Sequence, residues 1–195
     1  MSFYRNQLEN YLRQLHINAD VVIDIGGGAW PVKDRVSGWN VGKYIIYDKG
    51  IEDAKPDILT IDYDLNEENY QENSNIPRNR EADMVFCLEV FEYIWNPVQA
   101  TKNIFNLLRD GGRAFITFPF VYPQHEPIEY DFLRYTAQGV MTLLQKAGFE
   151  AENIKIIPRV DKSKQLRIFY AEDGMHPSKR LSTHDATGWI VEVKK

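Results

Sequence analysis

Residues 21–31 read VVIDIGGGAWP, a short β-branched run carrying Asp24 that opens into three consecutive glycines, Gly26, Gly27 and Gly28. Four of the five residues from Val21 to Ile25 are apolar and β-branched, and the run is too short for a typical helix, so it reads as a buried strand. The glycines remove every Cβ from the following turn, which lets bare backbone approach a ligand. A strand ending in such a turn is how α/β proteins meet a nucleotide, although three glycines also suit an ordinary tight turn. The flanking segments decide between the two.

Downstream, Lys43 to Tyr47 (KYIIY) is closed by Asp48, and Ile58 to Ile61 (ILTI) by Asp62, with Asp64 just beyond. Both read as short buried strands with an acid at the carboxyl end. Ala82 to Leu88 (ADMVFCL) is a fourth strand, Arg113 to Phe118 a fifth, Asn153 to Ile157 a sixth and Trp189 to Val193 (WIVEV) a last one. Upstream, Tyr4, Leu8, Tyr11, Leu12 and Leu15 recur at helical spacing behind Ser2 as N-cap, which predicts an amphipathic helix within residues 1–20. Asn96 and Pro97 supply an N-cap and first-turn pair for a helix in which Val98, Thr101, Ile104, Phe105 and Leu108 share a face, ending at Gly111 and Gly112. Thr136 caps a helix bearing Val140, Leu143, Leu144 and Ala147, which Gly148 ends. The polar stretch from Asn66 to Arg80 reads as a connecting helix or loop. Strands alternating with helices through the first five units predict an α/β, doubly wound parallel sheet with helices on both faces.

The chain of 195 residues is 44% hydrophobic and 26% charged, the balance of a soluble globular protein, and its length suits a single domain, 1–195. A net charge of -5 provides no general basic field, so nucleic acid is not an expected partner. Cys87 is the single cysteine and lies in the apolar stretch MVFCL, where a small buried thiol is the plain reading. No segment is apolar over the length of a signal peptide core or a bilayer span, so a cytoplasmic protein with no membrane contact is expected. Nothing in the sequence specifies an oligomeric state.

In a doubly wound sheet, ligands sit beyond the carboxyl ends of the strands, where strand order reverses. Asp24 to Gly28, Asp48, Asp62, Asp64, Leu88 and Glu89 all fall there. Each has a task if the ligand is an adenosine bearing a methionine tail. Gly26 and Gly28 admit the tail, the Asp48 carboxylate accepts from both ribose hydroxyls, and an acid after the third strand accepts from the adenine amino group.

This succession resembles the class I S-adenosylmethionine-dependent methyltransferases over nearly the whole chain. Asp24, Gly26 and Gly28 resemble the family's glycine motif, Asp48 its ribose acid, and Asp64 or Asp62 its adenine-contacting acid. The stretch CLEVFEYIWNP (87–97) is similar to its signature after the fourth strand, and LRDGGRAFITFP (108–119) to its glycine turn and fifth strand. The segment YPQHEPIEYDFLRYT (122–136) resembles a narrower, small-molecule group that carries a His, Asp and Arg near the substrate. The resemblance implies a Rossmann-like, seven-stranded sheet, mostly parallel with an antiparallel last strand. It also implies S-adenosyl-L-methionine as cofactor, held by Asp24, Gly26, Gly27, Gly28, Asp48, Asp62, Asp64, Leu65, Leu88 and Glu89. Two features depart from the pattern: Trp30 and Pro31 stand where a third glycine is frequent, and Tyr93 follows Glu92 where a His is frequent. Gly26, Gly28 and Asp48 would also suit a dinucleotide, but the last glycine of that fingerprint would be Pro31, and the fourth and fifth motifs favour S-adenosylmethionine.

Methyl transfer needs alignment, exclusion of water and, for a hydroxyl acceptor, removal of a proton. His125 follows the fifth strand on the ligand side and is the candidate base, with a hydrogen-bonding role in a proline loop as the alternative. Tyr122, Asp131 and Arg134 are the candidate substrate contacts, and Asp131 with Arg134 equally reads as a local i, i+3 ion pair. Tyr122, Tyr130 and Tyr135 are candidates to wall an acceptor pocket, with a place in the core as the alternative. His176 and His184 share no tight spacing with Asp or Cys, so no metal site is expected. Residues 120–136 and 160–187 would select the acceptor, a small molecule such as a sugar or another natural-product hydroxyl. A catalytically inactive cofactor-binding or partner-binding module of the same fold is the alternative function.

Overall fold

The computed structural model describes residues 3–49, 57–67, 81–124, 126–160 and 186–195. Seven strands form one sheet: β1 (His16–Ile25), β2 (Gly38–Asp48), β3 (Leu59–Asp62), β4 (Ala82–Cys87), β5 (Leu108–Pro119), β6 (Ile154–Val160) and β7 (Ala186–Lys194). Their order is β3-β2-β1-β4-β5-β7-β6. Neighbours from β3 through β5 run parallel, and β7 runs antiparallel to both β5 and β6. The strand order reverses between β1 and β4, so the carboxyl ends of these strands flank the crevice where such sheets bind ligands.

Among the described residues, three helices cover the faces: α1 (Phe3–Leu12), α2 (Pro97–Leu107) and α3 (Ala137–Ala147). On one face, Ile104 and Leu107 of α2 and Val140 and Leu144 of α3 pack over Ile23, Val85 and Ile116. On the other, Leu8 and Leu12 of α1 meet Val22, Phe86 and Phe115. The capping signals act as read: Asn96 accepts from the Gln99 N–H, Thr136 from the Gly139 N–H, and Gly148 closes α3 at φ 118°. Each side-chain cap contributes about 1 kcal/mol.

Four expectations need correction. The first helix stops at Leu12, and β1 begins at His16 rather than Val21. Residues 16–19 pair only with β2, while β4 joins from Val22, so the early strand is half exposed and lacks an apolar signature. The strict alternation of strand and helix fails between β1 and β2, where the described connection holds one 3-10 turn, Val32–Asp34. Pro31 sits just before it with extended backbone (φ -54°, ψ 136°), so no helix continues out of the glycines. The α2 helix ends at Leu107 instead of at the glycines, because Leu108 already pairs with Ala82 as the first residue of β5. Gly111 (φ 79°) and Gly112 lie in the irregularity between that pair and Met84–Arg113, and a Cβ at Gly112 would stand 2.9 Å from the Ala82 carbonyl.

Candidate functional site

At the end of β1 each glycine is closely approached by a different group. A Cβ at Gly26 would lie 2.4 Å from Val90 Cγ2, one at Gly27 2.3 Å from Asp24 Oδ2, and one at Gly28 2.5 Å from Asp48 Oδ2. Gly26 also holds φ 75°, and its N–H donates to the Tyr47 carbonyl at 2.7 Å. The turn is thus built at backbone distance from β2 and from the loop after β4.

Asp24 lies behind this turn. It is buried, and its Oδ2 accepts from the Val32 N–H (2.8 Å) and from the Tyr44 hydroxyl (2.5 Å). Burial pushes its pKa up to about 6, against the opposing pull of those two hydrogen bonds. Asp24 therefore braces the loop, joining the 3-10 turn to β2. A second brace comes from α1: Arg35 donates to both oxygens of the buried Glu9 (3.2 and 2.7 Å), and the Arg5 guanidinium lies 5.2 Å from the centre of the exposed Trp30 ring.

A cavity of about 680 Å³ opens over the carboxyl ends of β1, β2 and β4, within the usual size of small-molecule sites. Its first half is formed by Ile25, Gly26, Tyr47, Asp48 and the loop 63–66. Asp48 is oriented by the Gly28 N–H on Oδ2 (2.8 Å) and the Lys49 N–H on Oδ1 (2.9 Å), and each oxygen keeps further acceptor capacity for a ligand hydroxyl. Asp64 also lines the cavity, but its Oδ2 accepts from Lys49 Nζ (2.6 Å) and its Oδ1 from the backbone and side chain of Asn66. Burial alone would raise the Asp64 pKa, yet these hydrogen bonds prevail and hold it below the ordinary carboxylate value. Asn66 Oδ1 in turn accepts from the N–H groups of Trp95 and Asn96, tying the loop after β3 to the loop after β4.

The second half is aromatic: Tyr93, Trp95, Pro127, Tyr130 and Phe132 wall it, with Glu89 and Val90 at its floor. Glu89 has φ 58°, an uncommon conformation for a residue with a side chain and one that clusters at functional sites. Its N–H donates to Thr117 Oγ1 (2.6 Å), while its Oε1 accepts from the Thr117 hydroxyl (2.9 Å) and from Nη1 of the fully buried Arg159 (2.5 Å). Burial, aided by Glu92, Asp131 and Glu89 nearby, pushes the Tyr93 phenol up to about 12.

The predicted site residues divide as follows. Gly26, Asp48, Asp64, Leu65 and Glu89 line the cavity. Asp24, Gly27, Gly28, Asp62 and Leu88 do not, although Gly28 orients Asp48 and the exposed Asp62 stands beside Asp48 in the β2–β3 register. Tyr122, Asp131 and Arg134 lie outside it. Arg134 donates to both Asp131 oxygens (2.5 and 2.7 Å) and to the carbonyls of Tyr122 and Pro123, as a local pair would. The chain around them is hooked onto the core by the Phe132 N–H on the Glu92 carbonyl and the Tyr135 hydroxyl on the Phe91 carbonyl. His125, His176 and His184 lie outside the described residues, as does most of 160–187. Tyr130, read as a possible pocket wall, lines the cavity, whereas Lys49, Trp95, Phe132, Thr117 and Arg159 escaped the sequence reading. Arg159 alone left a sequence trace, a cation at the end of the apolar run IKIIPRV. Cys87 is buried, and burial raises its thiol pKa well above the ordinary value. Among the described residues no cluster of His, Cys, Asp or Glu is placed to hold a metal ion, and no helix is long and apolar enough to cross a membrane.

A sequence profile of the methyltransferase domain family matches residues 52–116, from before β3 into β5. No curated protein matches the sequence. Among solved structures, a SAM-dependent methyltransferase from Archaeoglobus fulgidus aligns with a TM-score of 0.64 at 14% identity, over 98% of this chain and 94% of its own. Phosphoethanolamine N-methyltransferase 2 of Haemonchus contortus, solved with S-adenosyl-L-methionine, gives 0.61 at 13% identity, over 97% of this chain and 51% of its own. The [4+2]-cyclase SpnF gives 0.59 at 14% identity, over 99% of this chain and 81% of its own. The fold is that of the class I S-adenosylmethionine-dependent methyltransferases. The profile spans part of the chain, residues 52–116, and these solved structures share its fold. For S-adenosylmethionine the site offers Gly26 and the fixed Asp48 carboxylate on one cavity wall, while the space a Cβ would take at Gly26, Gly27 and Gly28 is filled by Val90, Asp24 and Asp48. The cyclase neighbour shows that the fold does not by itself set the reaction.

Proposed function

We propose that the chain methylates a hydroxyl of a small molecule, such as a sugar or another natural product, and that residues 1–195 act as a single domain. One observation carries this reading: the glycine turn and Asp48 open into the same cavity as the aromatic wall formed by Tyr93, Trp95, Tyr130 and Phe132. Donor and acceptor would therefore meet in one shared cavity, as an in-line transfer requires. In this reading Gly26 lies against the methionine portion, Gly28 orients Asp48 to accept from the ribose hydroxyls, and Leu65 with Asp64 bounds the adenine. S-adenosylmethionine supplies the methyl group on a sulfonium. Asp24 and Gly27 act from behind the loop by holding its shape, and Arg134 with Asp131 holds the segment that carries the aromatic wall.

Calorimetric titration with S-adenosylhomocysteine, followed by its release assay over a panel of sugars, phenols and alcohols, tests the proposal. Saturable binding and turnover on a hydroxyl acceptor are expected; absence of binding sinks the reading. A non-catalytic binding module is the second reading. It is favoured by the Lys49 ammonium on Asp64, the acid that the resemblance assigns to adenine. Binding without turnover on the whole panel would select it.

A further inference from the structure

Glu89 lies in the cavity between the two halves, and the direction of its side chain separates them. Val90, its neighbour, is the residue packed against the glycine turn, with Cγ2 where a Cβ of Gly26 would stand. The Glu89 carboxylate is anchored on the other side, by Thr117 of β5 and by Arg159 reaching from β6. A completely buried guanidinium is costly unless paired, and Glu89 supplies a charge partner for it. Both of these bonds fall on Oε1. Oε2 carries no hydrogen bond among the described residues, and the Glu89 side chain keeps 20% of its surface accessible at the cavity. The strained φ of 58° thus belongs to a residue whose carboxylate is locked on one oxygen, with the second left for a ligand.

Resting on the methyltransferase reading, we propose that Glu89 belongs to the acceptor side: Oε2 receives the hydrogen bond of a hydroxyl on a ring compound that lies against Tyr93, Trp95, Tyr130 and Phe132. Ring faces match this wall, since Trp95, Tyr130 and Phe132 expose large aromatic surface with 60%, 60% and 46% of their area accessible. A fixed carboxylate gives a hydroxyl a charge-assisted bond about twice as strong as a neutral one. Thr117 and Arg159 are positioning residues, acting through Glu89.

The test uses the full chain saturated with S-adenosylhomocysteine and two probes of one ring, phenol and anisole, with binding read by ligand-observed NMR. Phenol should bind about tenfold tighter than anisole, the worth of roughly one charge-assisted hydrogen bond. Glu89→Gln should weaken phenol severalfold while leaving the calorimetric affinity for S-adenosylhomocysteine within about threefold. Because that variant leaves a buried cation with a weaker partner, Glu89→Leu combined with Arg159→Met removes both charges. The double variant should bind S-adenosylhomocysteine and lose the preference for phenol. Equal binding of phenol and anisole by the wild type, failure of both probes to bind, or a preference that survives in the double variant overturns the proposal. So does a drop of more than tenfold in S-adenosylhomocysteine affinity for Glu89→Gln, which would return the residue to the cofactor side. Failure of the wild type to bind S-adenosylhomocysteine overturns the underlying methyltransferase reading instead.

Discussion

The two halves of the cavity are built by opposite means. Around the glycine turn, backbone sits against carboxylates at distances no Cβ would tolerate, and Asp24 and Asp48 are each held by two hydrogen bonds. Beyond β4 the wall consists of large side chains, several well exposed, presented by the loop after β4 and by the segment 126–132, which is fastened to the core through a few backbone bonds. A half made of backbone geometry can serve only one ligand shape. A half made of exposed side chains can change its ligand by substitution without altering the sheet. Under the proposed function, the difference separates a constant donor chemistry from a variable acceptor.

The largest expected effect concerns the brace under the donor half. Asp24 has its folded-state pKa raised from 3.8 to about 6, so between these values the folded chain holds a proton that the unfolded chain has released. Ionised Asp24 therefore costs stability that accumulates as pH rises through this window and is constant above it, about 3 kcal/mol for about two units. Denaturant melts of wild type and Asp24→Asn should show the difference moving against the wild type from pH 4 to 6 and flat above. Asp64, Asp83 and Glu192, whose lowered pKa values give the opposite slope, are present in both proteins and cancel. A difference that does not vary with pH would remove the electrostatic part of the brace.

Gly26→Ala combines a positive φ with a Cβ placed 2.4 Å from Val90, and about 100-fold loss of S-adenosylhomocysteine affinity is expected by calorimetry. Retention of affinity would mean that the donor half is softer than its packing indicates. Asp48→Asn removes a charge from the ribose contact, and a loss of about 20-fold in the same titration is expected. An unchanged affinity would detach Asp48 from the cofactor. Trp30→Ala should do least, below about 1 kcal/mol in stability and about threefold in affinity, since the ring is exposed and held by one cation–π contact. A large effect there would extend the braced half outward to α1.

The halves also differ in how far they could be read from residues alone. Gly26, Asp48, Asp64 and Leu65, which the sequence marked and which line the cavity, each lie at or just after a strand end, so their position depends on local backbone. Trp95 and Phe132 carried no such mark, and Tyr130 stood only among three tyrosines equally suited to a core, since aromatic residues at that density are as common there. Tyr122, Asp131 and Arg134 were singled out for chemistry, yet they bond among themselves outside the cavity. Asp24 had the right strand and offset but faces the back of the turn, because alternate residues of a strand point to opposite sides of the sheet. Glu89 was placed with the cofactor, whereas its carboxylate is anchored to β5 and β6.

By itself the sequence determined the strands and their acids, the caps of α2 and α3 and the glycine turn, all consequences of side-chain periodicity and backbone freedom over a few residues. Only the tertiary structure decided the strand order, the exposed first half of β1, the turn in place of a helix after Pro31, and the meeting of Glu89, Thr117 and Arg159. Those three residues lie far apart in the chain, and nothing local to any of them specifies the others. Their contact exists because β7 inserts antiparallel between β5 and β6, which leaves the β6 arginine within reach of the acid after β4.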